Sequence, residues 1–304
     1  MLLESINNSK DRGSYSLLIG KLRKEIISNS LLYLPKKNNV NLLEMLLQIV
    51  KAKDKYLLND AESAYLAYQW ITENIKYVYS EESEDPEKVY NSGKGNVQGI
   101  SSLFNRICQY LKIESGSISG YLKERVAKDF VASWNYIVID GSYYLVDATM
   151  GGMILNEKLE GYYTDLFSEH ILNFYSLSFS KESKWQLLSE PIKREKFESM
   201  DYIQRAFHII GFKTISPDIS EIHENGTIII IYDESITNIT IESWFIDSNL
   251  QKIEQIECTY GNGKVEVKYN LNNEKAAYLY ISLKSIKTKS TIPFVYYTIN
   301  KSSK

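Results

Sequence analysis

The sequence predicts an α+β fold followed by an all-β sandwich, on three observations. Apolar residues recur at helical spacing through roughly the first third of the 304 residues. A glycine-rich turn and one more helical run then give way to strand-like runs, two of them joined at Asp140-Gly141, a strong hairpin signal. From about Lys213 the hydrophobic period becomes 2 and holds to the C-terminus. A helix followed by antiparallel strands is an α+β arrangement rather than a doubly wound one.

Taken in order, "SYSLLIGKLRKEIIS" places Leu17, Leu18, Leu22 and Ile26 on an amphipathic stripe. "NLLEMLLQIVKAKDKYLL" repeats the pattern with Leu43, Leu46, Leu47, Val50 and Leu57. "DAESAYLAYQWITENIKYVY" aligns Ala64, Ala67, Tyr68, Ile71 and Ile75 with Trp70 beside them, and Asp60 reads as its N-cap. The turn at Gly93, Gly95 and Gly99 precedes a helix carrying Leu103, Phe104, Ile107 and Leu111. The strand-like runs are "GSISGYLK", "SWNYIVID" and "SYYLVDAT", after which residues 151–210 read as mixed, with helical character in "MDYIQRAFHII". The C-terminal runs "TIIIIYD", "NITIESWFID", "KIEQIECTY", "KVEVKYNL", "AAYLYISLKS" and "TIPFVYYTI" are separated by turns such as Glu224-Asn225-Gly226 and Gly261-Asn262-Gly263. Their number and spacing imply a sandwich resembling an immunoglobulin domain. The expected division is a helical extension over 1–40, an α+β domain over 41–210 and the sandwich over 211–304.

Composition excludes several classes. With 35 basic and 38 acidic side chains the net charge is −3, which argues against a nucleic-acid binder. Cys108 and Cys258 lie too far apart for a disulfide framework or zinc cluster, and His170, His208 and His223 lack ligand spacing, so neither metal nor cofactor is expected. No apolar run approaches the roughly 18–20 residues of a membrane helix, so no membrane insertion is expected. The N-terminus lacks a basic region followed by an apolar core, which points to the cytoplasm, or to export if the chain given has been trimmed.

"SGKGNVQGISSLFNRIC" is built like a loop that delivers a nucleophile to a helix N-terminus, where unpaired backbone N–H groups favour an anion. Yet its hinge is Asn96-Val97-Gln98. This turn, the preceding "WITENIKY" (Trp70, Ile71, Asn74, Ile75, Tyr77), the following "SWNYIVIDGSYYLVDATM" and the later "WQLLSEPIKREKF" together resemble the transglutaminase-like (papain-like) superfamily, of the kyphoscoliosis peptidase and cytokinesis-protein-3 type. The resemblance covers roughly residues 40–200 well and implies a papain-like transglutaminase core. It also implies Cys-His-Asp nucleophilic catalysis, in which a thiolate attacks an amide carbonyl, a histidine shuttles the proton and an aspartate orients the imidazole. Matched position by position, Val97 stands in the nucleophile's place, Ala132 in the histidine's, and Asp147 in the aspartate's. Ile100, Ser101 and Met150 also depart from the pattern.

Two of the three catalytic groups are thus replaced by side chains that can neither attack a carbonyl nor accept a proton. The expectation is a catalytically inactive protein whose cleft, with Asn96, Gln98, Ser133 and Trp134, binds a protein or extended peptide, cytoskeletal or envelope-associated as the resemblance implies. The first alternative is an active cysteine peptidase or transglutaminase using displaced groups such as Cys108 or His170. The second is a surface adhesion or carbohydrate-binding protein, resting on the sandwich and its aromatics. Trp70, Trp134, Asn135 and Trp185 read most simply as core residues.

Overall fold

The computed structural model describes residues 22–37, 39–79, 84–123, 130–149, 178–186, 190–200, 202–203, 212–217, 219–232, 234, 239–285 and 291–301. They divide into two compact units. The first holds the residues up to Leu122, those from Val131 through the following hairpin, and Ser180–Pro191; the second holds Ile192 onward, with Lys123–Phe130.

The helices of the first unit are α1 (Lys24–Tyr33), α2 (Leu42–Tyr56), α3 (Asp60–Asn74), α4 (Pro86–Ser92) and α5 (Val97–Tyr110). Both α2 and α3 start on capping boxes. In α3 the cap is Asn59, one residue earlier than expected, because its amide oxygen takes the Glu62 N–H at 2.9 Å while Glu62 returns to the Asn59 N–H at 3.0 Å. Glu62 is fully buried and also accepts from Arg23, through Nε and Nη2, both at 2.6 Å. Burial pushes its carboxyl up, but the Arg23 guanidinium and the two backbone N–H groups outweigh it and hold the group below the usual carboxylate range.

On α2 the buried stripe is Leu42, Met45, Leu46, Ile49 and Ala52, so Leu43 and Leu47 stand exposed instead of facing the core. Two apolar stripes compete on that helix, and only one can pack. Leu57, also expected inside, ends α2 in the left-handed conformation (φ 50°) with its side chain 79% exposed. The α3 stripe is buried as its spacing requires.

The "WITENIKY" residues tie the α1–α2 connection to the core. Trp70 stacks on Tyr90 with ring centroids 5.7 Å apart and donates from Nε1 to the Pro35 carbonyl at 3.0 Å. Tyr90 Oη donates to the Val40 carbonyl at 2.8 Å. Asn74 donates to the Trp70 carbonyl at 2.8 Å and accepts the Lys37 N–H at 3.3 Å. The strands β1 (Ser115–Leu122), β2 (Phe130–Ile139) and β3 (Ser142–Val146) follow α5 in one four-stranded sheet with Ser178–Ser180, β2 and β3 pairing antiparallel. Asp140 (φ 52°) and Gly141 (φ 75°) form the tight β2–β3 turn, both in the left-handed region such a turn demands. One apolar core joins these helices to Ile137, Ile139, Tyr144 and Val146 of the hairpin.

The second unit contains β4 (Phe212–Ser216), β5 (Asn225–Tyr232), β6 (Ile239–Ile246), β7 (Lys252–Ile256), β8 (Cys258–Gly261), β9 (Lys264–Asn270), β10 (Tyr278–Ser285) and β11 (Thr291–Ile299). One sheet runs β8-β9-β5-β4; the other runs β7-β6-β10-β11, with Tyr202–Ile203 and Glu221–Ile222 also against β11. The two sheets share a single apolar cluster including Ile228, Ile230, Val265, Phe245, Leu279, Ile281 and Tyr297. The run read as one strand, "KIEQIECTY", is two: β7 pairs with β6 in one sheet and, after Glu257 alone, β8 pairs with β9 in the other. Tyr260 on β8 closes that corner, its hydroxyl accepting the Ile241 N–H at 2.7 Å and donating to the Ile241 carbonyl at 2.8 Å.

Two further local expectations fail. Asn225-Gly226 is not a turn but the start of β5, paired with Asn270 and Tyr269; a Cβ on Gly226 would come within 2.6 Å of the Tyr269 hydroxyl, so a larger residue would have to move that ring. Tyr202–Ile203, within the run read as helical, is extended, and residues 204–210 lie outside the described residues.

Candidate functional site

The hinge is built by two glycines with separate duties. Gly93 ends α4 in the left-handed conformation (φ 65°), its N–H returning to the Val89 and Tyr90 carbonyls. At Gly95 a Cβ would press on the Val89 and Ile100 side chains at 3.0 and 3.1 Å, so a larger residue would have to displace them. Between them a short parallel ladder holds the loop to the end of α3. Lys76 N–H donates to Gly93 and Val78 N–H to Gly95, at 2.9 and 3.0 Å. Asn96 then caps α5, its side-chain oxygen accepting the Gly99 N–H at 2.8 Å.

Val97 is the first residue of α5 and is 8% exposed; Asn96 and Gln98 beside it are half-buried. On β2, Ala132 and Trp134 share one face and Ser133 and Asn135 the other, since successive strand residues alternate. Asn135 faces α5, which also places Ala132 and Trp134 away from that helix. All four are buried, Ser133 at 5% and Trp134 at 1% exposure, so of the four residues expected to line a cleft only Asn96 and Gln98 offer surface. Asp147 is buried at 2% and follows Val146, which pairs with Asn135.

A polar network centred on buried Asn135 and Ser101, and reaching half-buried Asn105 and exposed Ser117, fixes α5 against the sheet. Asn135 Nδ2 donates to the Ser101 carbonyl at 3.0 Å, to Asn105 Oδ1 at 2.9 Å and to the Gly116 carbonyl at 3.4 Å. Ser101 Oγ reaches Ser117 Oγ at 2.8 Å and the Trp134 carbonyl at 3.2 Å, and Asn105 Nδ2 donates to Ser117 at 2.7 Å. Asn135 and Ser117 each touch both Ser101 and Asn105, so one turn of α5 is tied to β1 and β2 together. One turn back from Ser101, about 6 Å, is Val97; two residues back from Trp134, about 7 Å, is Ala132. Ala132 thus stands on the strand face turned from α5, and Asp147 directly follows the last residue of β3. No local signal marks the network in the sequence: α5 also carries Gln98, Ser102, Arg106 and Gln109, so Ser101 and Asn105 do not stand out.

Trp185 stacks on Tyr136 at 4.1 Å between ring centroids and meets Tyr143 edge-on at 5.7 Å, docking the "WQLL" segment on the hairpin. Lys181 N–H donates to the Ser119 carbonyl at 3.2 Å, bringing the same segment against β1.

Cys108 lies on α5 about three turns beyond Val97, roughly 16 Å along the helix. It is fully buried, and burial pushes its thiol up to about 12, against a weaker opposing contact from Ser115. Cys258 is half-buried beside Ser243, and burial raises its thiol too. His223 is exposed in the second unit; His170 and His208 lie outside the described residues, as does Met150. No cluster of metal-ligating side chains occurs among the described residues, and none of the described helices is long and apolar enough to cross a membrane.

The state of Cys108 sets an alkaline limit. Its folded value lies above the ordinary thiol value of about 8.5, so the neutral form is favoured in the fold. That stability is complete below about pH 8.5 and is lost as pH rises towards 12. Between about pH 8 and 10 the wild type should lose about 2 kcal/mol more than a Cys108→Ala protein. Urea unfolding of both at the two pH values measures it, and equal losses would contradict it.

Residues 48–148 match the family described as the transglutaminase-like superfamily. The chain is 26% identical over 182 residues to kyphoscoliosis peptidase of Mus musculus, covering 54% of this chain and 27% of that protein. It is 25% identical over 182 residues to hillarin of Drosophila melanogaster, covering 50% and 22%. A solved protease-like structure from Cytophaga hutchinsonii overlaps 48% of this chain and 47% of its own at 15% identity, with a TM-score of 0.30. The chain spans about a quarter of the length of the curated relatives it matches.

Proposed function

We propose that this chain, which carries a transglutaminase-like core, binds an extended segment of a partner protein without cutting or cross-linking it. The observation that carries the reading is the pair Val97 and Ala132, both buried and apolar, in the nucleophile's and general base's places. Removing one member of such a triad costs several orders of magnitude in rate. The frame around the pair is kept: the Asn96 cap, the two hinge glycines, the Asn135 network and buried Asp147. The cleft then serves recognition, the C-terminal two-sheet unit is an immunoglobulin-like module, and the protein works in the cytoplasm on a cytoskeletal or envelope-associated partner. An active enzyme built on Cys108 draws no support from a thiol held neutral to about pH 12 and three turns from the hinge.

Fluorogenic peptide hydrolysis and amine incorporation into casein test the silence of the site; both are expected at the buffer rate. Turnover that disappears in a Cys108→Ser protein would overturn it in favour of the displaced-thiol enzyme. Binding is tested by selecting extended peptides from a display library. The half-exposed Gln98→Trp should weaken the selected peptides by about tenfold or more with no change in melting temperature. Affinity untouched by that substitution would sink the cleft as the binding surface.

A further inference from the structure

Five of the ten exposed large apolar side chains among the described residues fall between residues 32 and 57, two of them, Leu43 and Leu47, one turn apart on α2. Single exposed leucines need no explanation; stacked ones beside organised charge do. The inner face of α2 is already occupied by Met45, Leu46 and Ile49, so the outer face is surplus to the core. Alongside Leu43 and Leu47 run Glu44, Gln48, Lys51 and Lys55, at helical spacing on the outer side. Lys51 has no ion-pair partner among the described residues, and Glu44 spends one oxygen on its cap, Oε2 accepting the Asn41 N–H at 3.2 Å.

We propose that this face of α2 pairs with the same face of a second copy of the chain, antiparallel about a two-fold axis. The charge order selects that occupant. Glu44 and Lys51 are equidistant from the midpoint between Leu47 and Gln48, so an antiparallel pair sets Glu44 of each copy opposite Lys51 of the other. The two Leu47 side chains meet at the axis, and Leu43 of each copy packs along the aliphatic stem of the opposing Lys51. A parallel pair would oppose lysine to lysine, and an anionic membrane would meet Glu44. The contact is isologous, satisfying each copy with the surface it offers.

Sedimentation equilibrium of the full chain across micromolar concentrations should show a monomer–dimer equilibrium. Leu47→Glu, at an exposed position, should abolish it with the circular dichroism spectrum and melting temperature retained. Glu44→Lys and Lys51→Glu should each remain monomeric alone, since each opposes like charges. An equimolar mixture of the two should dimerise, because the heterodimer restores both pairs. A monomeric wild type, or dimers indifferent to Leu47→Glu, would overturn the proposal; a mixture that stays monomeric would overturn the antiparallel register.

Discussion

A Trp70→Ala protein is expected to lose about 3–5 kcal/mol of folding stability, a large share of the roughly 5–15 kcal/mol typical of a domain. Three losses act together. The largest fully buried side chain is removed from the helical core, leaving a cavity that Tyr90, stacked on it at 5.7 Å, can fill only in part. The Pro35 carbonyl loses its donor. The connection from Pro35 to Val40 is then held by Tyr90 and Asn74, both of which contact Trp70 themselves. Trp70→Phe separates the contributions, since it keeps most of the volume but not the donor, and should cost clearly less. Denaturant unfolding gives the magnitude, and limited proteolysis should open residues 35–40 first in the alanine protein. A change below about 1 kcal/mol would contradict the packing described.

Asn135→Ala should cost about 2–3 kcal/mol, because it strips the donor from the buried Ser101 carbonyl and from the half-buried Gly116 carbonyl and Asn105 Oδ1. Asn135→Asp is the sharper test. It is nearly the same shape, yet at neutral pH it aims a carboxylate at those oxygens with nothing to donate. The carboxyl's folded value must then rise above the ordinary value of about 3.9. A raised value means stability present below that pH and lost as pH increases, so N135D should recover towards wild type on acidification, while N135A should not. Melting temperatures of the three proteins at pH 4 and pH 7 decide it. Parallel behaviour of the two variants would show that Asn135 acts through volume alone.

Much of the fold was legible because its strongest signals are local. Asp140-Gly141 and Asn262-Gly263 both adopt the positive φ values their turns require, and the period-2 runs from β5 to β11 became strands. Long-range competition hid the rest. Nothing in the spacing of α2 decides between the stripe with Leu46 and the stripe with Leu47, because the choice belongs to the helices it packs on. Glu257, where one run divides between two sheets, is an ordinary strand residue in the sequence. At the site, the hinge glycines announced themselves by composition. The Asn135 network did not, because a hydrogen bond across 34 positions leaves no local trace.

The Glu257 crossover with its Tyr260 clasp has a mechanical consequence. Sheets tied only by apolar contact can slip or part, and each may then melt by itself. Here one stretch of backbone is threaded into both, and a single phenol grips the far sheet by both polar groups of Ile241. Neither sheet can fray at that margin without peeling the other, so the second unit breathes as one foldon rather than two.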